Sequence, residues 1–255
     1  MAVARGRSTA SSKGDAVRVL TWNLEWKSPR GTSPAASSIR QTLRQLDVDL
    51  ACLTETQLGW LPDGREASGL PDPRQPTRRK VVLWSRWPLG DIDSEGPDDL
   101  ADLRRWCAAT AHTPSGPIRL YGVVIPYAHS NVVYGTGAAR PWEDHARYLD
   151  ALDYALAQRD TTMPTVVFGD FNQRLDGGRS RVPIALRRRL REIFRDFHLV
   201  TADLTAPDSY LLDHIAVDGI TAQHVALVPS IEDNVRRSDH HGAYTDTHRT
   251  AANNR

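Results

Sequence analysis

The segment VVFGDFN, residues 166–172, constrains this chain more than any other. Its short apolar run predicts a buried β-strand, and Gly169 predicts a turn where that strand ends. Asp170 and Asn172 follow two positions apart, so in extended backbone both side chains can point toward one reacting centre. An apolar strand that ends in Gly-Asp is common among α/β proteins, so the meaning of this segment depends on the motifs that accompany it.

Four polar motifs accompany this segment. In chain order they are Thr21-Trp22-Asn23, Leu53-Thr54-Glu55, Leu212-Asp213-His214-Ile215 and Ser238-Asp239-His240. Most of their polar residues lie at or next to the end of a predicted strand, where a rigid sheet can position binding groups. We therefore expect these strand ends to converge in one cleft.

Alternating, β-branched segments predict many strands, and apolar residues at helical spacing predict a few helices between them. The predicted strands cover residues 17–22, 50–54, 80–85, 118–125, 165–168, 210–217, 225–228 and 242–245. The predicted helices contain residues 39–46, 142–158 and 187–195. Residues 57–77 are rich in Gly, Pro, Asp and Arg, which predicts a long surface loop. This pattern predicts a layered α/β or α+β domain with one core.

The composition is ordinary for a globular protein, because 40% of the 255 residues are hydrophobic and 25% are charged. We expect a single domain at residues 17–246, a disordered tail at 1–16 and a flexible tail at 247–255. No run is long enough for a membrane span and residues 1–16 have no signal-like apolar stretch, so we expect no stable membrane insertion. We also expect a cytoplasmic location and a monomer. The two cysteines make no disulfide framework. The net charge of +1 neither requires nor excludes a nucleic-acid partner.

The residue types in these motifs suit the hydrolysis of a phosphate ester. Glu55 and Asp239 are carboxylates of the kind that hold a hard cation through oxygen. Such a cation polarises a phosphoryl oxygen and offsets the charge that develops in the transition state. Asp170 is the best placed carboxylate to align or deprotonate the attacking water.

Two amides and an imidazole complete the set. Asn23 and Asn172 can hydrogen-bond to substrate, water or ligand without adding charge. His240 can donate to a phosphoryl oxygen or to the leaving group, and His241 is the alternative imidazole. A carboxylate such as Asp213 would orient the ring and favour the imidazolium.

This ordered set resembles the endonuclease/exonuclease/phosphatase superfamily, which includes DNase I-like nucleases, abasic-site endonucleases, inositol-phosphate phosphatases and sphingomyelinases. The resemblance extends from about Val17 to Tyr244, and its most specific parts are the GDFN motif at 169–172 and the SDH motif at 238–240. It implies a DNase I-like fold, a four-layered α/β sandwich of two packed mixed β-sheets flanked by helices.

The resemblance also implies a metal site and its chemistry. Glu55 would be the main Mg²⁺ ligand, helped by Asn23 and Asp239, and Mn²⁺ could replace Mg²⁺. The catalytic residues that it implies are Asp170, which aligns or deprotonates water, Asn172, which supports the phosphate, the pair Asp213 and His240, and His129, the candidate for the second histidine of DNase I-like members.

The predicted function is that of a Mg²⁺-dependent phosphodiesterase that acts on DNA or RNA. The alternatives are a phosphatase or phospholipase acting on inositol phosphates, sphingolipid head groups or another small phosphate ester, and a non-catalytic binding protein on the same fold. Abasic-site members usually place a tyrosine two residues before a proline, where this chain has Val124 before Ile125-Pro126. This departure argues against an abasic-site activity.

Several other residues have both a structural and a functional interpretation. His214 lies within a predicted strand and is expected to be buried with its hydrogen bonds satisfied. Four arginines of the third predicted helix are expected to form a solvated face, with phosphate binding as the alternative: Arg187, Arg188, Arg191 and Arg195. Four tryptophans could stack on unpaired bases, although packing is their usual role: Trp60, Trp84, Trp87 and Trp142.

Overall fold

The computed structural model describes residues 16–98, 100, 102–130, 140–206 and 209–249. In chain order the strands are β1 (Val17–Asn23), β2 (Leu50–Gln57), β3 (Arg65–Ser68), β4 (Pro71–Asp72), β5 (Gln75–Ser85), β6 (Leu89–Asp93), β7 (Trp106–Thr113), β8 (Gly116–Val124), β9 (Thr165–Asp170), β10 (His198–Leu199), β11 (Asp213–Asp218), β12 (Ile220–Val228), β13 (Ile231–Glu232), β14 (Val235–Arg236) and β15 (Gly242–Arg249). The helices are α1 (Pro34–Leu46), α2 (Glu143–Ala157) and α3 (Ile184–Ile193), and a short 3₁₀ helix covers Leu103–Arg105.

Two mixed β-sheets contain most of these strands. The first sheet has seven strands in the order β12-β15-β1-β2-β5-β3, with β4 also paired to β5. The second has six strands in the order β10-β11-β9-β8-β7-β6, and β13 pairs separately with β14. Each large sheet contains one parallel pair, β1 with β2 and β8 with β9, and the other described pairs are antiparallel.

The two sheets pack face to face around an apolar core. Val19 and Cys52 from the first sheet lie in one cluster with Leu120 and Phe168 from the second, and all four are fully buried. Because side chains alternate between the two faces of a strand, Leu20 belongs to a different cluster on the outer face of the first sheet. The alternation therefore gives each sheet two apolar faces to cover.

Helices cover both outer faces. α1 packs Ile39 and Leu43 onto the first sheet, and its N-terminus is capped by Ser33 Oγ, which accepts a hydrogen bond from the Ala36 N–H at 3.2 Å. α2 and α3 cover the second sheet through a third cluster that includes Leu152. The result is a four-layered sandwich with two mixed sheets between helices, which confirms the predicted fold.

The prediction of a surface loop at residues 57–77 is wrong in part. This stretch contains β3, β4 and the start of β5, at the edge of the first sheet. Ala67 is the one buried residue of β3, so the edge strand has little apolar alternation to reveal it. Gly64 allows close packing, since a Cβ at that position would overlap the Trp84 indole. The glycine and polar content of this stretch therefore belongs to an edge strand.

Besides the two-residue β10, two strands of the second sheet, β6 and β7, have no counterpart in the sequence prediction. β6 is an edge strand whose residues are exposed or half-buried. β7 is almost entirely buried, but it is rich in alanine, which has little preference for strands. Tertiary packing therefore determines both strands more than local preference does.

The ends of the described chain differ slightly from the expected domain limits. β15 extends to Arg249, beyond the expected start of the C-terminal tail at residue 247, because Thr247 still pairs with Val17. Residues 1–15 and 250–255, where most of both expected tails fall, lie outside the described residues. Within the described ranges, no helix combines the length and the apolar character needed to cross a membrane.

His214 is buried in the second sheet, as expected from the sequence. Its Nε2 donates to the Gln173 carbonyl oxygen at 2.9 Å, and Thr201 Oγ1 lies 2.9 Å from its Nδ1. Burial lowers the pKa of His214 to about 4, against the opposing effect of the hydrogen bond to Gln173. The imidazole is therefore neutral in the folded protein at physiological pH.

We expect His214 to make the protein less stable as the pH falls from 6.5, its ordinary pKa, toward 4, its pKa in the fold. The unfolded chain binds a proton in this window and the folded chain does not, so the stability that His214 contributes is complete above the window and is lost within it. Between pH 7 and pH 5 the free energy of unfolding of wild type, relative to His214→Gln, should fall by about 2 kcal/mol.

Urea denaturation of both proteins at the two pH values measures this difference. Substitution of the exposed His112 by glutamine is the control and should leave the pH dependence as in wild type. Parallel pH dependences for wild type and His214→Gln would contradict a neutral buried imidazole.

Candidate active site

The ends of β1 and β2 and the start of β15 meet at one edge of the first sheet. β1 and β2 are parallel, so Asn23 and Glu55 lie at the same edge. β15 runs antiparallel to β1, and Ser238 and His240 precede it at that edge. Ser238 joins the two segments, since its Oγ donates to the Asn23 carbonyl oxygen at 2.6 Å and accepts from the His240 N–H at 3.1 Å.

The second sheet supplies two carboxylates to the same end of the sandwich. Asp170 is the last residue of β9 and Asp213 is the first of β11, and the antiparallel register places them directly opposite each other. Asn23 connects the two sheets, because its Nδ2 donates to Asp170 Oδ2 at 3.2 Å. The strand ends that we expected to converge therefore meet where the two sheets face each other.

Asp170 is buried and tightly positioned. Gly169 before it has a φ of +139°, and a Cβ there would overlap the Val123 carbonyl oxygen, so the position requires glycine. The carboxylate accepts three hydrogen bonds: from the Asn172 N–H at 2.9 Å, from Asn172 Nδ2 at 3.1 Å and from Asn23 Nδ2 at 3.2 Å. Both oxygens are thus fixed in direction by neutral donors.

His240 and Asp213 form a hydrogen-bonded pair beside Asp170. His240 Nδ1 donates to Asp213 Oδ2 at 2.7 Å, and the Asp213 side chain is completely buried. The other ring nitrogen, Nε2, makes no hydrogen bond to any residue in the described ranges. The pair therefore holds the ring in one orientation and leaves Nε2 for a substrate.

Burial and mutual charge set the pKa values of this group. Burial raises the pKa of Asp170 to about 7, with His240 opposing the rise and Asp213 adding to it. Burial opposes the charge on His240, but Asp170 and Asp213 outweigh it and raise the pKa of the imidazole to about 10. Burial also raises the pKa of Asp213, against the attraction of His240. At neutral pH a protonated imidazole thus lies beside a carboxyl group that can take up or release a proton.

Glu55 is held by an ammonium group. The neighbouring residues of β2 and β5 are paired in register, which places Glu55 opposite Lys80. Lys80 Nζ lies 2.7 Å from Glu55 Oε1. Burial and the charge of Arg105 lower the pKa of Lys80, and Glu55 counteracts them. Asp239 lies at the same edge of the sheet but is exposed.

Two sets of side chains at this end of the sandwich offer donors for a cation. One set has ligand atoms within 4.8 Å of one another: Asp170, Asp213 and His240. The other is the set predicted from the sequence: Glu55, Asn23 and Asp239. The second set offers oxygen atoms alone, as a hard cation such as Mg²⁺ prefers, whereas the first is paired internally through the bond from His240 to Asp213. The contact of Lys80 with Glu55 involves Oε1, which leaves Oε2 for a ligand.

A cleft of about 760 Å³ opens beside Asn172. Two tyrosines on its walls, Tyr127 and Tyr210, are 51% and 53% exposed. Three arginines also line it: Arg174, Arg179 and Arg181. Arg174 is held by Asp176 through two contacts of 2.7 and 2.6 Å, whereas Arg179 and Arg181 are exposed and have no ion-pair partner among the described residues. The cleft therefore combines unoccupied positive charge with exposed aromatic rings.

The two adjacent histidines, His240 and His241, have different environments. His241 is buried, and its Nδ1 accepts a hydrogen bond from the Ser230 N–H at 3.2 Å. His240 is thus the imidazole that contacts Asp213. His129 is exposed on the wall of the cleft that Asn172 also lines.

The tryptophans differ in their environments, and most of the arginines expected on the third helix are solvated. Trp60 and Trp84 are buried in the packing of the first sheet, and Trp142 lines the cleft. Arg188, Arg191 and Arg195 are exposed and Arg187 is half-buried, which agrees with the expected solvated face, and Arg191 also donates to the Leu175 carbonyl oxygen at 2.9 Å.

Lys80 and the arginines of the cleft belong to none of the motifs that predicted the site. Lys80 begins a predicted strand, but its contact with Glu55 depends on the register between two strands 25 positions apart. Arg179 and Arg181 lie in a segment without periodic pattern after the GDFN motif. The closeness of three arginines to Asn172 over eight positions was the one signal that could have indicated them.

The chain is similar to a known family and to several solved structures. A family model described as "Endonuclease/Exonuclease/phosphatase family" matches residues 20–240. No curated protein matches the chain by sequence. Among solved structures, an AP endonuclease from Archaeoglobus fulgidus is 15% identical, with 90% of this chain and 98% of that chain covered and a TM-score of 0.66.

Two further structures share the fold. TDP2 from D. rerio, complexed with single-strand DNA product, is 13% identical, with 92% of this chain and 100% of that chain covered and a TM-score of 0.64. An endonuclease/exonuclease/phosphatase from Beutenbergia cavernae is 18% identical, with 94% and 73% covered and a TM-score of 0.62. At these identities the likeness extends to the fold, and it agrees with the DNase I-like sandwich expected from the sequence.

Proposed function

Because the chain belongs to the endonuclease/exonuclease/phosphatase family, we propose that it is a Mg²⁺-dependent phosphodiesterase that cleaves DNA or RNA. The observation that carries this proposal is the arrangement at the strand ends. A buried carboxylate with both oxygens fixed lies beside an imidazole that a second buried carboxylate orients. These are the groups that hydrolysis of a phosphate ester requires.

In the proposed reaction Asp170 holds the attacking water and accepts its proton. Its carboxylate is kept in place by donors from Asn23 and Asn172, so a water bound to it would have a defined direction. Asn172 Nδ2 also donates to the Ile125 carbonyl oxygen at 2.8 Å. This second contact keeps the amide of Asn172 rigid. A rigid amide in turn keeps the Asp170 carboxylate in one orientation.

His240 donates a hydrogen bond from Nε2 to a phosphoryl oxygen or to the leaving oxygen. Asp213 acts on the ring through Nδ1, which it holds at 2.7 Å, and so orients Nε2 toward the substrate. Donors that are already oriented stabilise developing negative charge without reorganisation.

The oxygen donors at the edge of the first sheet fit the proposed cation. Glu55, Asn23 and Asp239 would hold Mg²⁺, with Mn²⁺ as a substitute. When bound, the cation would supply Lewis-acid polarisation of a phosphoryl oxygen. Asn23 Oδ1 accepts from the Glu25 N–H at 2.9 Å and, as a carbonyl oxygen, retains a second lone pair for this purpose.

The cleft beside Asn172 supports a nucleic-acid substrate. Arg179 and Arg181 offer positive charge to phosphates that neighbour the one being cleaved, and Tyr127 and Tyr210 offer exposed rings for base stacking. A small phosphate ester would leave most of this surface uncovered. The cytoplasmic location and the monomeric state are further proposals, which rest on the sequence alone.

Nicking of supercoiled plasmid in the presence of Mg²⁺ tests the function. We expect the protein to nick the plasmid or to cut single-stranded DNA or RNA oligonucleotides, to lose this activity in EDTA and to regain it with excess Mg²⁺. Gel electrophoresis of the products measures each step.

Two other outcomes would contradict either the proposed substrate class or the proposed catalytic function. If the protein leaves all nucleic acids intact but hydrolyses an inositol phosphate or sphingomyelin in Mg²⁺, the catalytic group stands and the substrate class is wrong. If it binds Mg²⁺ and hydrolyses none of these esters, the non-catalytic alternative is correct.

A further inference from the structure

We propose that Lys80 is an internal cation that competes with the divalent metal for Glu55 and so lowers the metal affinity of the site. This inference rests on the proposed function, which assigns Glu55 to the metal. Its basis is the direct contact between the Lys80 ammonium and Glu55 Oε1 at 2.7 Å.

The contact is built into the sheet. The register of β2 and β5 fixes the two residues on opposite strands, and their side chains are only 19% and 25% exposed. A pair that is held by the backbone and partly withdrawn from water has less freedom to separate than a surface pair of two long side chains. The ammonium is therefore at Glu55 before any metal arrives.

Trp26 holds the ammonium from a second direction. Lys80 Nζ lies 4.9 Å from the centroid of the Trp26 ring, within the range of a cation–π interaction. Trp26 is itself tied to the same strand, because its backbone N–H donates to the Glu55 carbonyl oxygen at 2.6 Å. The indole thus keeps the lysine near the carboxylate instead of letting it extend into solvent.

The neighbouring charges do not share this role. Lys27 and Arg236 both pair with Glu25, at 3.0 and 3.3 Å. Lys80 is the one ion-pair partner of Glu55 within the described ranges. Removing Lys80 would therefore leave Glu55 without a counter-ion, whereas removing Lys27 would not.

The sign of the effect distinguishes competition from support. A competing ammonium repels a dication and occupies one carboxylate oxygen, so its removal should tighten metal binding by roughly tenfold or more, even with the screening of water. A lysine that merely orients Glu55 would have the opposite effect, because a carboxylate without its support would bind metal more weakly.

The test measures metal binding to the full chain without any substrate. Isothermal titration with MgCl₂, and electron paramagnetic resonance of free Mn²⁺, give the dissociation constants of wild type and Lys80→Met. Lys80→Arg retains the charge and should bind within about threefold of wild type, since it changes the shape of the cation and not its sign. Lys27→Met is the matched control for loss of one positive charge near the site and should also bind as wild type does.

We expect Lys80→Met to bind Mg²⁺ and Mn²⁺ about tenfold more tightly than wild type. Unchanged or weaker binding by a folded Lys80→Met, checked by circular dichroism and repeated with Lys80→Gln, would overturn the inference. Absence of metal binding in wild type and in both variants would overturn it together with the proposed metal site, and this outcome differs visibly from unchanged binding. Equal tightening by Lys27→Met would show a general field effect and also overturn it.

Discussion

Replacement of Asp170 by asparagine is expected to lower the rate of phosphodiester hydrolysis by about 10²–10⁴-fold, because the amide cannot accept a proton from the attacking water. The substitution keeps the size of the side chain and the glycine turn before it. The turnover number should fall, whereas the affinity for substrate should change little. Initial rates of oligonucleotide cleavage at saturating Mg²⁺ measure the effect.

The same change alters the hydrogen bonds of a buried group. Asp170 accepts from the Asn172 N–H on one oxygen and from Asn172 Nδ2 and Asn23 Nδ2 on the other. An amide at this position turns one of these oxygens into a donor that faces another donor, at a cost of about 1–3 kcal/mol. The neutral amide avoids the burial of a charge, which offsets part of this cost. Rates should therefore be compared well below the melting temperature of both proteins.

A matched control lies in the segment that leads into the same strand. Asp160 is an exposed carboxylate that precedes the start of β9, at the end of the strand away from Asp170. Asp160→Asn should cleave at the wild-type rate. If a folded Asp170→Asn also cleaved at the wild-type rate, Asp170 would have no role as the proposed base.

The parts of the site that could be predicted from the sequence are those that a short segment determines. Gly169 and Asp170 are adjacent, and the steric demand of the turn is local, so the position of the carboxylate at a strand end is visible in the sequence. The same is true of His240, which precedes a strand by two positions. The four-layered sandwich also followed from the resemblance of these motifs in their order, and the observed sheets agree with it.

The parts that could not be predicted depend on contacts between distant segments. The pairing of Lys80 with Glu55 requires the register of β2 against β5, and a shift of one residue would place the lysine on the other face of the sheet. The edge strand β3 has one buried residue and so almost no periodic signal. The role proposed for the cleft arginines depends on their position beside Asn172 in the fold, and their closeness to Asn172 in the sequence is the one local sign of it.

Asp213 and His240 are expected to act as one unit, so their substitutions should not be additive. His240→Gln and Asp213→Asn should each lower the cleavage rate by about 10²–10⁴-fold, because the first removes the ring donor and the second removes the charge that favours the imidazolium. The double variant should be no slower than the slower single variant, because in the proposed mechanism Asp213 acts only through the ring of His240. Cleavage rates of the four proteins form the required double-mutant cycle.

Asp213→Asn separates two roles of Asp213, which are to orient the ring through a hydrogen bond and to favour the imidazolium through its charge. Asparagine at position 213 can still accept the hydrogen bond from His240 Nδ1 through its carbonyl oxygen, so a purely structural contact would survive. Thermal melting of each variant verifies that the completely buried position tolerates the amide. If Asp213→Asn lowers the rate by the same factor in the wild-type and the His240→Gln backgrounds, Asp213 acts independently of the imidazole. A factor near one in the His240→Gln background means that the whole effect of Asp213 passes through the ring that it orients.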